Sequence, residues 1–413
     1  MKRLVNEQRL WSSLMEMGKI GATDKGGVCR LTLTDVDRRA RDLFVSWCRE
    51  AGCAVSVDRM GNVFARRAGR DPSLPPVVAG SHIDSQPTGG RFDGIYGVMA
   101  ALEAIRTMND LRLGTEAPVD IVSWTNEEGS RFAPCMIGSG VFAGVFPLEF
   151  GHGCRDADGK TLGEELARIG YRGERPETGH AVGAYFEAHI EQGPILDSEH
   201  KTIGVVTGAL GQKWFDVVIT GQESHAGPTP MHLRRDALVG AARVVGEVNR
   251  IGHAYLPDAC ATVGSMRVHP NSRNVIPGQV VLTVDFRHSD ARRLDGMVDE
   301  LRGALERIGR ELRLETGIAP AADFPAVAFD AGCVALVRGA AAELGHPHRD
   351  IVSGAGHDAI FLARVAPTAM IFIPCEGGIS HNELESATPS DCAAGCDVLL
   401  RAVLQRAGGS QPA

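Results

Sequence analysis

The chain has 413 residues, 44% apolar and 23% charged, an ordinary balance for a globular protein large enough for two domains. Its net charge of −8 lacks the basic surplus of a nucleic-acid binder. No apolar run approaches the ~20 residues that span a bilayer, so a cytoplasmic protein with no membrane or nucleic-acid partner is expected.

Two helices are expected first, over Asn6–Met17 and Thr34–Ala51. The first mixes Glu7, Arg9 and Glu16 with apolar residues and lacks the continuous apolar stretch of a signal peptide. The second opens on Thr34, with Asp35 and Asp37 as first-turn acids. Strands are expected over Val55–Asp58, Val63–Arg66 and Val77–His82, then a helix over Val98–Met108. Further strands follow over Val119–Trp124, Tyr185–Ile190 and Ile203–Val206. This alternation reads as a mixed or parallel sheet covered by helices.

The pattern changes between about Gly211 and Pro320. Strands over Trp214–Thr220, Ala261–Val268, Val280–Phe286 and Glu311–Glu315, with helices over Asp236–Gly252 and Asp290–Ile308, compose a β-α-β-β-α-β unit. Gly208 and Gly211 mark its entry and Gly317–Pro320 its exit. A helix over Ala331–Leu344, a strand over Thr368–Pro374 and a helix over Pro389–Gln405 follow, and Gly408–Ala413 reads as a disordered tail. The fold class is therefore α/β. A mixed-sheet domain flanked by helices, residues 1–210 and 321–413, carries an inserted ferredoxin-like α/β unit, 211–320. Ten cysteines without a CxxC pair read as reduced, buried thiols.

Four segments that follow strand-like runs carry the chemistry. Gly80-Ser81-His82-Ile83-Asp84-Ser85-Gln86-Pro87 leads through Gly89-Gly90 to Asp93. Thr125-Asn126-Glu127-Glu128-Gly129, Glu187-Ala188-His189-Ile190-Glu191 and Ser380-His381-Asn382-Glu383 are the others. His82 and Asp84 straddle one residue, so Asp84 is expected to accept the imidazole N–H that faces away from a metal. Asp93 is placed to bridge two ions. Of Glu127 and Glu128, one carboxylate would ligate and the other would stay free as general base. His189 and His381 complete a nitrogen and oxygen donor set without cysteine, which suits a co-catalytic metal site rather than a structural zinc.

These motifs resemble the aminoacylase/carboxypeptidase-type dinuclear zinc hydrolases, specifically their hydantoinase/carbamoylase subgroup. The resemblance runs through Gly80–Pro87, Gly90–Gly94, Trp124–Gly129 and Glu187–Pro194 and covers nearly the whole chain. It implies that His82 and His189 serve one ion and Glu128 and His381 the other, with Asp93 between them and Glu127 as general base. The ions implied are two divalent metals, Zn²⁺ first, with Mn²⁺, Co²⁺ or Ni²⁺ as alternatives. The larger domain would be catalytic, and the inserted unit would be its lid and the contact of a homodimer.

The inserted unit adds His225, after its first strand, Asn274 in a polar turn, and Arg287 at the end of a strand. His225 could reach a developing oxyanion. The Arg287 fork suits a carboxylate, or pairs structurally with Asp285. The resemblance assigns Gln192, His225, Asn274 and Arg287 to a small carboxylate substrate, the last three delivered by a partner subunit. The loop holding Gly356, His357 and Asp358 also reads as substrate-facing, or His357 and Asp358 serve as a pair that supports the ligands from behind. The expected reaction is hydrolysis of an N-carbamoyl-L-amino acid or N-carbamoyl-β-alanine to amino acid, ammonia and carbon dioxide. The rivals are an allantoate amidohydrolase, an aminoacylase or dipeptidase, and a non-catalytic binding protein of the same fold.

Overall fold

The computed structural model describes residues 4–409. They form two compact units, one running to Thr207 and resuming at Ala328, the other Gly208–Val327.

The sheet of the first unit has the spatial order Ala54–Val57, Val63–Arg67, Val119–Trp124, Val77–His82, Ala184–Ile190, Thr368–Ile373, Ile203–Ala209, with His348–Ser353 also beside Ile203–Ala209. Four central strands are parallel: Val119–Trp124, Val77–His82, Ala184–Ile190 and Thr368–Ile373. All their residues are buried, as strands covered on both faces require. Register sets His82 opposite Trp124 and Phe372 opposite His189, so the four carboxyl ends share one edge. In open parallel sheets that edge is where ligands bind.

Helix Ile95–Asp110 packs on Val77–His82 and against helix Pro389–Arg406, which also touches Ala331–Glu343. Pro389–Arg406 is buried along most of its length, which explains its apolar circumference. Helix Asp35–Glu50 is capped by Thr34, whose hydroxyl accepts the Asp37 N–H. Asp37 stands in the first turn as expected, with its carboxylate turned inward. It is fully buried and pairs at 2.8 Å with buried Arg41, which also donates to Thr125 just past the end of strand Val119–Trp124. The short helices Ile137–Phe142, Leu148–Gly153 and Leu162–Ile169, helix Asp358–Leu362 and strand His348–Ser353 were not expected from sequence. Segments of five to eight residues show too few repeats for periodicity to reveal.

In the second unit the antiparallel order is Glu315–Phe324, Gly211–Thr220, Gln279–His288, Cys260–His269. Helices Ala237–Ala254 and Ala291–Leu312 pack on this sheet. Val280, Leu282, Val284 and Phe286 alternate inward and meet Val244, Val248, Met297 and Leu301 in one core. The expected strand Glu311–Glu315 is wrong. The helix continues to Leu312, Arg313 caps it in the left-handed region at φ 58°, and the strand is Glu315–Phe324. The proposed exit Gly317–Pro320 therefore lies inside that strand. Pro320 is tolerated because the strand is at an edge, with a register shift beside it. Gly408 and Gly409, expected in a disordered tail, still donate backbone hydrogen bonds to Gln405 and Leu404, and 410–413 lie outside the described residues. The ten cysteines are free.

Candidate metal centre

His82 closes its strand, and the following loop brings Asp93 back beside it. Gly94 has φ +66°, and a Cβ there would lie 2.2 Å from Cε1 of His82, so only glycine allows the approach. His82 donates its Nδ1–H to the Asp84 backbone oxygen, and His189 does the same to Ile190, both at 2.9 Å. Each ring thus turns Nε2 toward Oδ1 of Asp93, at 4.0 Å for His82 and 3.2 Å for His189. On the other oxygen, Nε2 of His381 is 3.3 Å from Asp93 Oδ2 and 3.5 Å from Glu128 Oε2. Two donor triads result, His82–Asp93–His189 and Asp93–Glu128–His381, sharing one carboxylate. Glu127 belongs to neither, and its Oε2 lies 3.4 Å from Nε2 of His82.

The Glu127–Glu128 loop turns on Asn126, left-handed at φ 59° and pinned by its amide donating to the carbonyls of Phe132 and Pro134. Asp84 acts differently from the sequence expectation. Its carboxylate is 3.8 Å from Nδ1 of His82, and its backbone oxygen is the acceptor instead. The strand ends at His82, so Asp84 no longer keeps the extended geometry that would place both side chains on one face. Its carboxylate accepts the Thr32 hydroxyl at 2.7 Å and the N–H groups of Glu127 and Glu128 at 3.4 and 3.3 Å.

Burial pushes Glu127 well above the usual carboxylate range, reinforced by Asp358 and Glu128. Burial does the same to Glu128, reinforced by Asp93 and Asp84. Burial opposes the ionisation of Asp93 too, yet hydrogen bonds from His189 and His381 hold it well below its range. Burial would lower His189, but Asp93 pushes it up to about 9. Several buried carboxylates thus crowd the imidazoles of His82, His189 and His381. Oε1 of Glu128 is buried with no hydrogen-bond partner among the described residues, which invites a cation. The donors are imidazole and carboxylate, and the His381 side chain stays 52% exposed, so the set fits divalent cations at an open site rather than a closed structural zinc.

Gln192, also left-handed at φ 59°, donates to Asp93 Oδ2 at 3.0 Å while its own Oε1 is buried without a partner among the described residues. Gly356 lies on the loop before helix Asp358–Leu362, against Met136. His225, Asn274 and Arg287 belong to the second unit, and that unit does not bring the three together. His225 pairs with Val275, and the Ala226 N–H reaches the Asn274 carbonyl. Arg287 sits near the far end of Gln279–His288, opposite Gln212, and its fork is engaged by Asp285 at 2.7 Å. At ~3.4 Å per residue, the strand between them separates the two groups by roughly 27 Å. Within one copy of this unit, His225 and Asn274 therefore lie together and Arg287 lies apart from them.

Sequence reasoning missed Gln86, which donates to Glu128 at 2.7 Å, and Thr32, Ser380 and Glu385. Gln86 and Ser380 lie inside the motifs already singled out, and Glu385 follows His381 by one turn. Thr32 carried no signal.

Residues 78–405 match the model of peptidase family M20/M25/M40. The chain is 51% identical over 405 residues to the N-carbamoyl-L-amino-acid amidohydrolase of Rhizobium meliloti, covering 98% of this chain and 97% of the relative. The allantoate amidohydrolase of Bacillus subtilis is 32% identical, covering 89% and 90%. A crystal structure of an amidase of the hydantoinase/carbamoylase family from Burkholderia multivorans superposes with a TM-score of 0.96 at 62% identity, covering 99% of both chains. This chain belongs to the M20/M25/M40 family, in its hydantoinase/carbamoylase branch.

Proposed function

We propose that this chain is an amidohydrolase cleaving the carbamoyl C–N bond of an N-carbamoyl-L-amino acid, with amino acid, ammonia and carbon dioxide as products. The observation that carries this reading is the pair of donor triads sharing Asp93, with Glu127 unligated beside them. The 51% identity to an enzyme of that name favours this substrate over allantoate, whose amidohydrolase is 32% identical.

His82, Asp93 and His189 would hold one divalent cation, and Asp93, Glu128 and His381 a second, Zn²⁺ being the first choice for such donors. Cations bound there would supply Lewis acidity toward water and the ureido carbonyl. Glu127 takes the proton of the attacking water. It stands beside His82 outside both triads, and it returns the proton to the leaving nitrogen as the C–N bond breaks. Arg287 holds the substrate carboxylate, exchanging Asp285 for it. His225 and Asn274 orient the ureido group, and Gln192 and Gly356 line the opposite side.

The second unit is read as lid and dimerisation module. A small ureido acid cannot span the strand between His225 and Arg287, so a substrate held by both calls on two copies of the chain. This supports a homodimer. Ten free thiols fit a reducing cytoplasm. Among the described residues no helix is long and apolar enough to cross a membrane.

Ammonia release from N-carbamoyl-L-amino acids, N-carbamoyl-β-alanine and allantoate tests the reading. The largest kcat/KM should fall on an N-carbamoyl-L-amino acid. A larger value on allantoate would reassign the substrate.

A further inference from the structure

Glu385 is only 2% exposed and touches both halves of the centre. Its Oε1 accepts the N–H of Phe92 at 2.9 Å and of Asp93 at 3.0 Å, across nearly three hundred residues of chain. Its Oε2 accepts the Ser380 hydroxyl at 2.9 Å. Ser380 Oγ is itself 3.4 Å from Asp93 Oδ2, and the Gln192 amide donates to both, at 3.2 Å to Ser380 and 3.0 Å to Asp93. Gly90 leaves room for this carboxylate, because a Cβ there would fall 2.1 Å from Cδ of Glu385. The Glu385 N–H donates to the Asn382 carbonyl at 3.0 Å, closing the turn that follows His381. His381 has φ 52°.

We propose that Glu385 is a positioning residue that fastens the shared ligand Asp93 to the loop carrying His381 and thereby forms the second cation site. This rests on the two-cation reading above. The two sites depend on it unequally. His82 and His189 stand on strand ends and are oriented by the backbone carbonyls of Asp84 and Ile190, neither of which involves Glu385. His381 has no strand beneath it. Its loop is tied to Asp93 by the Glu385 carboxylate, which accepts the hydroxyl of the neighbouring Ser380 on one oxygen and the backbone N–H groups of Phe92 and Asp93 on the other. A carboxylate suits the task because three donors converge on two oxygens. A glutamine could still accept both N–H groups and donate to Ser380.

The test is metal binding by the full chain, measured as ions per chain after Zn²⁺ loading and as two stepwise affinities by chelator competition. Wild type should bind two ions. Glu385→Ala should keep the first affinity within a few-fold and lose about 10–100-fold in the second. Ser380→Ala should weaken the second site alone, by less, and Glu385→Gln should restore most of the loss. Equal loss at both sites, or none, in Glu385→Ala would overturn the assignment. Where that variant does not fold, Ser380→Ala decides, and an unchanged second affinity overturns it. A wild type binding fewer than two ions would remove the two-cation reading, and this inference with it; two ions in wild type and in Glu385→Ala alike would remove this inference alone.

Discussion

Replacing Glu127 by glutamine separates metal binding from proton transfer. Both donor triads exclude Glu127, so the variant should retain the metal content of wild type. The amide keeps the size of the carboxylate but cannot accept the proton of water. A positioned general base contributes about 10²–10⁴-fold, or roughly 3–5 kcal/mol of barrier at ~1.4 kcal/mol per tenfold. The variant should therefore lose about that factor in kcat. KM should move little, because Glu127 lies beside His82 rather than on the substrate carboxylate. Glutamine also leaves a permanently neutral group where burial and neighbouring carboxylates oppose the ionisation of Glu127, so thermal stability measured in the presence of a chelator should not fall. Steady-state ammonia release, metal analysis and a melting curve on the same preparation decide it. Turnover within threefold of wild type, as an order-of-magnitude bound, would show that another group moves the proton. Loss of an ion would show that Glu127 is a ligand.

Gly94→Ala should fold yet lose on the order of 100-fold in metal affinity, because its Cβ would displace the His82 ring; unchanged affinity in a competition titration would contradict the packing at φ +66°. Arg287→Ala should raise KM by about 10–100-fold, the worth of a charge-assisted contact to a carboxylate, and an unchanged KM would remove Arg287 from the substrate. Coexpressing His225→Ala with Arg287→Ala chains should give a higher kcat/KM at low substrate than either variant alone, since one site of each mixed dimer would combine an intact Arg287 with an intact His225. No such gain would refute the two-copy arrangement. Away from the centre, Arg131 joins Asp156 at 3.0 Å and Glu165 at 2.7 Å. Burial opposes ionisation of both acids, but backbone N–H groups and Arg131 hold Asp156, and Arg168 with Arg131 hold Glu165, below their ordinary values of 3.8 and 4.5. Depressed folded-state values mean stability that is present above those ordinary values and lost as pH falls through the lowered ones. Arg131→Met should therefore cost stability at neutral pH, with the difference from wild type shrinking toward pH ~3, and a pH-independent difference in denaturation midpoint would exclude the ion pairs as its source.

Much of the centre was legible because its ligands sit at strand ends. A buried parallel strand is a short apolar run, and a polar residue at its carboxyl end, as at His82 and His189, stands out against it. Glycines marked the loops for a backbone reason visible in the residue type: Gly94 had to be glycine to admit the His82 ring. The second unit was legible for its alternating strand Gln279–His288, whereas the strand Glu315–Phe324 was not, because Gly317 and Pro320 are breakers except at a sheet edge, and being at an edge is not a local property.

The residue types and their order along the chain by themselves determined which groups could bind a cation, since imidazole nitrogen and carboxylate oxygen are fixed by chemistry. Only the tertiary structure decided how those groups divide the work. It gave the His82 proton to a backbone carbonyl rather than to the Asp84 carboxylate, set Asp93 between two triads, and recruited Glu385 to hold Asp93 beside His381. It also put His225 beyond one end of strand Gln279–His288 and Arg287 near the other. Those outcomes depend on distances between atoms hundreds of residues apart, and a hydrogen bond fails within half an ångström, a tolerance that spacing along a chain cannot carry.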